Sequence, residues 1–472
     1  MTSTSQLHVL DEDMANATCY AEWRDAAQEH DLVSGADDWK RENETSLYDW
    51  RLIKSRTRLL RRLRHEGDIP RLVFYLREEL HGNLGNMANP ALYGPARFGT
   101  KTLITDYLDE VTEALDDLCK TQHPSFTKAN KKRFFKKAAR SFGRSALLLS
   151  GGATLGLFHL GVIKALWAEG LLTTVLSGSS AGSIVASIAA THSDSELANI
   201  FDPGYVRMEA WRDFGLASLF EGRGLADIDK LRHAINRNVP EWTFDEAFEK
   251  TGRIVNISVS PADPNQFPRL LGYLNAPNVF VRRAVLASCA IPGLFPAVML
   301  RARNFEGQNV PYMPKSKWVD GTLKMDVPKT HIARIHNVNH FIVSQTNPHV
   351  LPFLTDRNPQ NAGLFALELI KSTARVNVEH MLDRLRQHTD SPALGLMLDK
   401  AHSIAAQSYS GDITIFPSRQ AGNIIRAFAD PNAAHVADFV ADGERATWPA
   451  LERIRNATRI SRAFEHCLGR LR

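Results

Sequence analysis

The chain has 472 residues, 44% hydrophobic and 23% charged, with a formal net charge of +5. That balance fits a folded globular protein of two or three domains and excludes a disordered or collagen-like chain. Its four cysteines (Cys19, Cys119, Cys289 and Cys467) form no CxxC pair or metal spacing, which argues against a disulfide framework or a zinc site.

The opening MTSTSQLHVLDEDMANA is polar, and residues 1–18 are expected to fray. It lacks a basic segment followed by an apolar one, so no secretory signal is expected and the compartment reads as reducing and cytoplasmic. Residues 19–64 are patterned as helix. Within them RLIKSRTRLLRRLR (51–64) puts leucines and Ile53 on one side and arginines and Lys54 on the other. Residues 68–80 predict a second helix with Pro70 in its first turn, and 102–119 an acidic amphipathic helix. FTKANKKRFFKKAARSFGR (126–144) interleaves cations with Phe126, Phe134, Phe135 and Phe142, a pattern suited to an anionic lipid surface or to a solvated helix. Nucleic acid is the less suitable partner.

Residues 145–182, SALLLSGGATLGLFHLGVIKALWAEGLLTTVLSGSSAG, organise the rest of the chain. An apolar strand stops at Gly151 and Gly152, Gly156 comes next, and a helix runs from 157 to 169. A second strand ends in Gly178-Ser179-Ser180-Ala181-Gly182, after which another apolar helix begins. Strand, glycine loop, helix, strand, tight turn, helix predicts an α/β fold with a parallel-rich sheet covered by helices. The second turn fits G-x-S-x-G with Ser180 in the middle, the sharp turn that exposes a nucleophilic serine. The first turn could supply backbone N–H donors to an oxyanion. A nucleotide-binding reading is disfavoured because Leu157 and Phe158 stand where a P-loop needs Lys-Ser/Thr, and G-G-x-x-x-G is not the dinucleotide spacing.

Further on, 253–260 and 340–344 pattern as strands, 281–290 as an apolar helix, and Trp318-Val319 as a short strand ending at Asp320-Gly321. No stretch reaches the roughly 18 uncharged apolar residues of a membrane span. Residues 284–300 come nearest but are broken by Pro292, Gly293 and Pro296. After 348 helical patterns dominate, with one strand-like stretch at 412–416 and a final Arg-rich helix over 443–472.

A serine hydroxyl needs a base. A Ser–Asp–His triad would take Asp320 with His331, His336, His340 or His349, whereas a Ser–Asp dyad needs no histidine; spacing alone leaves both open. His159, inside a helix, reads as a packed residue.

GGATLG (151–156), GSSAG (178–182) and DG (320–321), in that order, resemble the patatin-like phospholipase family. YLNAPNV (273–279), SCAIPGLFPAVML (288–300) and NVNHFIVSQTNPHV (337–350) are similar to the subgroup of intracellular triacylglycerol lipases with a helical N-terminal domain of unknown function. GDITIFPS (411–418) and ATWPALERI (446–454) look like its C-terminal part. The resemblance implies Ser180 as nucleophile and Asp320 as base, with Gly151, Gly152 and Gly156 forming the oxyanion hole and Gly178 and Gly182 the elbow. Ala153 departs from the family, standing where a glycine is common. His8 to Asp13 matches an H-x-x-x-x-D acyltransferase spacing but lies in the segment expected to fray.

The expected organisation is a helical N-terminal domain (1–140), a patatin-like catalytic domain (145–347) and a mainly helical C-terminal region (348–472). The expected activity is release of fatty acids from lipid esters, triacylglycerol foremost, without metal or cofactor and with peripheral contact to a lipid or membrane surface. The alternatives are a phospholipase A or lysophospholipase with the same dyad, a Ser-Asp-His esterase, and a non-catalytic lipid-binding protein.

Overall fold

The computed structural model describes residues 3–201, 228–263, 265–347, 350, 409–418 and 433–471. It divides into two compact units, one of Met1–Ser145, His336–His340 and Thr447–Arg472, the other of Ala146–Ile335 and Phe341–Ala446. The stretch read as one C-terminal region is therefore split between the units, and most of its expected helices (351–408 and 419–432) lie outside the described residues.

The first unit is helical. Its long helices, Trp50–Glu66, Thr102–Lys120, Lys128–Phe142 and Leu451–Arg470, bury Ile53, Leu60, Tyr107, Leu115, Phe135 and Phe464 together. Asp49 caps the first of them by accepting from Leu52 N–H, and Gly67 closes it with a left-handed φ of 66°. The N-terminus does not fray as expected: Ser3–Asn16 is helix, because Leu10 and Met14, one turn apart, are both buried. The final helix also differs, since Trp448-Pro449 separates Ala433–Thr447 from Leu451–Arg470 where one helix from 443 was expected.

The two basic segments behave differently from each other. Arg64 bonds Glu110 and Glu113, each at 2.6 Å, and Asp117 at 2.8 Å, while Arg61 meets Glu110 at 3.1 Å. Arg61 and Arg64 are thus spent on the acidic helix Thr102–Lys120, and Arg56 on Glu79. In Lys128–Phe142 the phenylalanines are not interleaved at the surface, because Phe134, Phe135 and Phe142 are buried, as is Phe126 before them. Lys128, Arg133, Lys136, Lys137 and Arg140 remain as an exposed cationic face.

The second unit is built on a sheet whose described strands are β1 (Arg144–Leu149), β2 (Val175–Gly178), β3 (Ile254–Pro261), β4 (Arg269–Gly272), β7 (Trp318–Asp320), β8 (Val338–Ser344) and β9 (Ile413–Ile415). Strands β5 (Arg301–Arg303) and β6 (Asn309–Pro311) form a separate hairpin. The order is β4-β3-β2-β1-β8-β9, with β1, β2 and β3 mutually parallel and β8 parallel to β9. All eight residues of β3 are buried, as a strand covered on both faces requires. The helix Phe158–Ala168 lies against Ala433–Thr447 at two glycines. A Cβ on Gly161 would fall inside the Val440 carbonyl, and one on Gly443 inside the Phe158 carbonyl.

Register decides the site. β2 pairs with β3 as far as Gly178↔Ile257, and β7, running the opposite way, pairs Asp320↔Val259 and Trp318↔Pro261. Val259 also pairs with Arg269 of β4. A residue has only two strand edges, so β7 must occupy the β2 side of β3. The two strands share one lane, approach from opposite ends, and both stop in the gap between them.

Candidate active site

Ser180 stands at that gap, between β2 and the helix Ala181–Thr191. Its backbone is left-handed (φ 49°, ψ −125°), a strained conformation for a residue with a Cβ. The strain is held by its surroundings. Ser180 N–H donates to Ser288 Oγ at 2.9 Å, and Ser288 Oγ donates onward to the Ser258 carbonyl at 2.8 Å. Ser183 Oγ donates to the Ser180 carbonyl at 2.6 Å. Gly178 and Gly182 admit the tight turn: a Cβ on either would overlap backbone, that of Gly182 on one side and Leu149 on the other. Ser180 is 8% exposed.

Asp320 ends β7 beside it. Its N–H donates to the Ala290 carbonyl, its Oδ1 accepts from Thr322 N–H at 2.8 Å, and its carboxyl interacts with the Ser180 side chain. Burial pushes its pKa up to about 6, with the hydrogen bonds from Thr322 and Ser180 opposing that rise. Gly321 is packed so tightly that a Cβ would sit 2.6 Å from the Ser258 carbonyl.

The glycine loop closes the other side. Gly151 places its Cα so that an added Cβ would lie 3.4 Å from Ser180 Cβ, and Gly156 packs directly on Ala181. Gly152 abuts Thr346. Ala153, where the family resemblance favours glycine, adopts φ 49°, the region glycine occupies without strain.

One interaction was not anticipated. Gly151 N–H donates to Asp326 Oδ1 at 2.8 Å, so in this arrangement it is not free for an oxyanion. Asp326 is buried and also accepts from Asn347 Nδ2 at 3.0 Å, while its carbonyl accepts from Ser179 Oγ at 2.7 Å. Burial, with a contribution from the nearby Asp320 charge, pushes it up to about 7. Gly152 N–H and Ala181 N–H donate to no described residue. Asp326 and Ser288 were missed as site residues. The signal for Asp326 was a carboxylate in an apolar setting, between Met325 and Val327-Pro328.

The histidines lie elsewhere. His159 is buried among Ser344 Oγ (2.7 Å), the Ser150 carbonyl (3.0 Å) and Thr346 Oγ1 (3.1 Å), and burial lowers its pKa to about 4. It is a packed helix residue, as its position suggested. His331 is exposed, His340 meets Ser145 Oγ, and burial lowers His336 to about 4. His349 lies outside the described residues. Among the described residues no histidine reaches Ser180 or Asp320, and no cluster of side chains has metal-binding character.

A parallel-rich sheet with a strained serine turn and a buried carboxyl in the same lane is the architecture of an α/β serine hydrolase. Comparison with known proteins narrows this. Residues 147–331 match the model of the patatin-like phospholipase family, and residues 1–140 match a domain of unknown function. Triacylglycerol lipase ptl3 of Schizosaccharomyces pombe is 32% identical over 94% of this chain and 93% of its own length. Triacylglycerol lipase SDP1L of Arabidopsis thaliana is 34% identical over 96% of this chain and 58% of its own. Triacylglycerol lipase 5 of Saccharomyces cerevisiae is 33% identical over 95% and 63%. The chain thus spans about three fifths of the length of the latter two. Among solved structures, VipD from Legionella pneumophila aligns over 66% of each chain with 14% identity and a TM-score of 0.33, too low to inform the fold. The chain belongs to the patatin-like phospholipase family.

Proposed function

We propose that the chain is a carboxylic ester hydrolase that releases fatty acids from lipid esters, triacylglycerol foremost, through a Ser180–Asp320 dyad. The observation that carries the reading is the shared lane, which sets the Asp320 carboxyl against the Ser180 side chain. Asp320, ionised, takes the hydroxyl proton as Ser180 Oγ attacks the ester carbonyl. The tetrahedral oxyanion is held by Gly152 N–H and by Ala181 N–H at the helix N-terminus, both without an acceptor of their own among the described residues. Gly156 shapes the loop, and Gly151, tied to Asp326, aims it. Protonated Asp320 returns its proton to the departing alcohol. It then draws a proton from water, whose oxygen attacks the acyl-enzyme, and passes that proton to Ser180 Oγ as the acyl–Oγ bond breaks and the fatty acid leaves.

The relatives' names as triacylglycerol lipases support triacylglycerol as substrate, and the matched family model keeps phospholipid as the second reading. We place the catalytic domain at 145–347. The exposed cations of Lys128–Phe142 support peripheral contact with an anionic surface. Among the described residues no helix is long and apolar enough to cross a membrane.

Fatty-acid release from triolein and from phosphatidylcholine vesicles tests this with wild type, Ser180→Ala, Asp320→Asn and His331→Ala. We expect the first two variants to lose at least about 10³-fold in rate, as loss of a nucleophile or its base does. His331→Ala should stay active. An equally inactive His331→Ala would favour a triad, and an inactive wild type would defeat the reading.

A further inference from the structure

The second unit carries an exposed apolar rim at the C-terminal end of β3. Residues 284–300 contain no charge. Their first part is locked into the site, Ser288 holding Ser180 N–H and the Ala290 carbonyl accepting from Asp320 N–H. Their second part then runs out over the surface, with Pro292, Pro296 and Met299 exposed and Leu294 half-buried. Val298 pairs with Trp318, which pairs with Pro261, so Met299 comes up beside the end of β3. On the other edge of β3, Arg269 pairs with Val259, which brings Phe267, two residues earlier, to the same level.

Phe267 is 87% exposed and Met299 37% exposed, well beyond what a large apolar side chain shows when it serves a core. Cations stand among them. Lys315 and Lys317 are exposed without a carboxylate partner among the described residues, and the Lys317 carbonyl accepts from Ala262 N–H at the same end of β3. Arg269 lies over the Trp318 ring at 5.6 Å. The nearby acid Asp263 is occupied within its own turn by Asn265 N–H and Gln266 Nε2.

We propose that this rim is the surface by which the chain docks on an anionic lipid interface, with Phe267 and the 291–299 loop entering the acyl layer and the lysines meeting headgroups. The proposal rests on the lipid-ester reading above. Apolar side chains ringed by cations are what an interface of acyl chains and anionic headgroups takes up, whereas water leaves them exposed. The loop that would be immersed begins at the residues holding Ser180 and Asp320. Docking there brings an ester carbonyl to the nucleophile without removing the whole lipid from its layer. It also distinguishes this surface from the cationic helix Lys128–Phe142, whose phenylalanines are buried.

The test uses the full chain carrying Ser180→Ala, so that binding is read without turnover, and sedimentation with phosphatidylcholine vesicles with and without phosphatidylserine. Phe267→Asp with Met299→Asp should weaken binding to the anionic vesicles by about tenfold or more. Lys315→Glu with Lys317→Glu should weaken it less and lower its salt dependence. In the active background, hydrolysis of p-nitrophenyl butyrate, a soluble ester, and an unchanged unfolding midpoint verify that the Asp variants are folded. Vesicle binding equal to that of the parent chain overturns the proposal. So does a loss of self-association in the Asp variants with vesicle binding intact, which would make the rim a contact between copies. A wild type that hydrolyses neither ester defeats the activity reading instead, and leaves the vesicle result to judge the rim by itself.

Discussion

At the level of single residues the proposed mechanism turns on two buried carboxyls with different work. Asp320 must be ionised to take a proton, and burial holds it at about 6 against an ordinary value of 3.8. With a base of raised pKa the active fraction falls as pH drops through that value. Turnover of a soluble ester should therefore fall about tenfold per pH unit below about 6 and level off above it. A pH–rate profile flat down to 4 would remove Asp320 from the role. In the same proposal Asp326 acts through the glycine loop, whose Gly151 N–H donates to it. Asp326→Ala leaves the buried Gly151 N–H without an acceptor, a loss of about 1–3 kcal/mol that should appear as a fall in kcat of about 5–150-fold. Asp326→Asn keeps an acceptor oxygen for Gly151 and should recover most of that rate. Equal losses in both variants would mean that the charge, not the acceptor, matters.

At the level of elements the sheet does what neither motif could do alone. G-x-S-x-G sets a sharp turn and Asp-Gly ends a strand, but the two lie 140 residues apart in sequence. They meet because β2 and β7 abut on one edge of β3. The helices that cover the sheet are fitted as closely. Gly161→Ala would gain up to about 1 kcal/mol in helix propensity, yet its Cβ overlaps the Val440 carbonyl. Overpacking of that kind costs about 1–3 kcal/mol, so the variant should unfold at a lower urea concentration than wild type. A midpoint at or above that of wild type would show that the two helices can move apart freely. The basic segments carry a related lesson. Amphipathic patterning located both helices, but which arginines pair inside the unit and which face solvent depended on the acidic helix Thr102–Lys120.

At the level of the whole molecule the chain order does not match the spatial grouping. The unit containing the sheet is interrupted by His336–His340 and closes at Ala446, while Thr447–Arg472 joins the N-terminal helices. Local patterning has no access to such returns. Phe464 and Cys467 read as one apolar stripe of a helix, and only packing against Phe135 and Leu115 says which core that stripe belongs to.

Much was nonetheless written locally. The succession of strand, glycine turn and helix comes from hydrophobic period and from glycines at turns too tight for a side chain, both short-range effects. Hence the α/β class, the strands β1, β2, β3, β7, β8 and β9, the Ser180 turn and the strand end at Asp320 could all be read from residues near one another. The N-terminal helix was missed because its apolar stripe is only two buried residues deep. What the tertiary structure alone decided were the pairings across long loops: Asp320 beside Ser180 with no histidine there among the described residues, Ser288 bracing the elbow, and Asp326 taking the Gly151 N–H. They depend on strand register, helix packing and, for the two carboxyls, a low-dielectric interior that raises their pKa, and none of these is a property of a short stretch of chain.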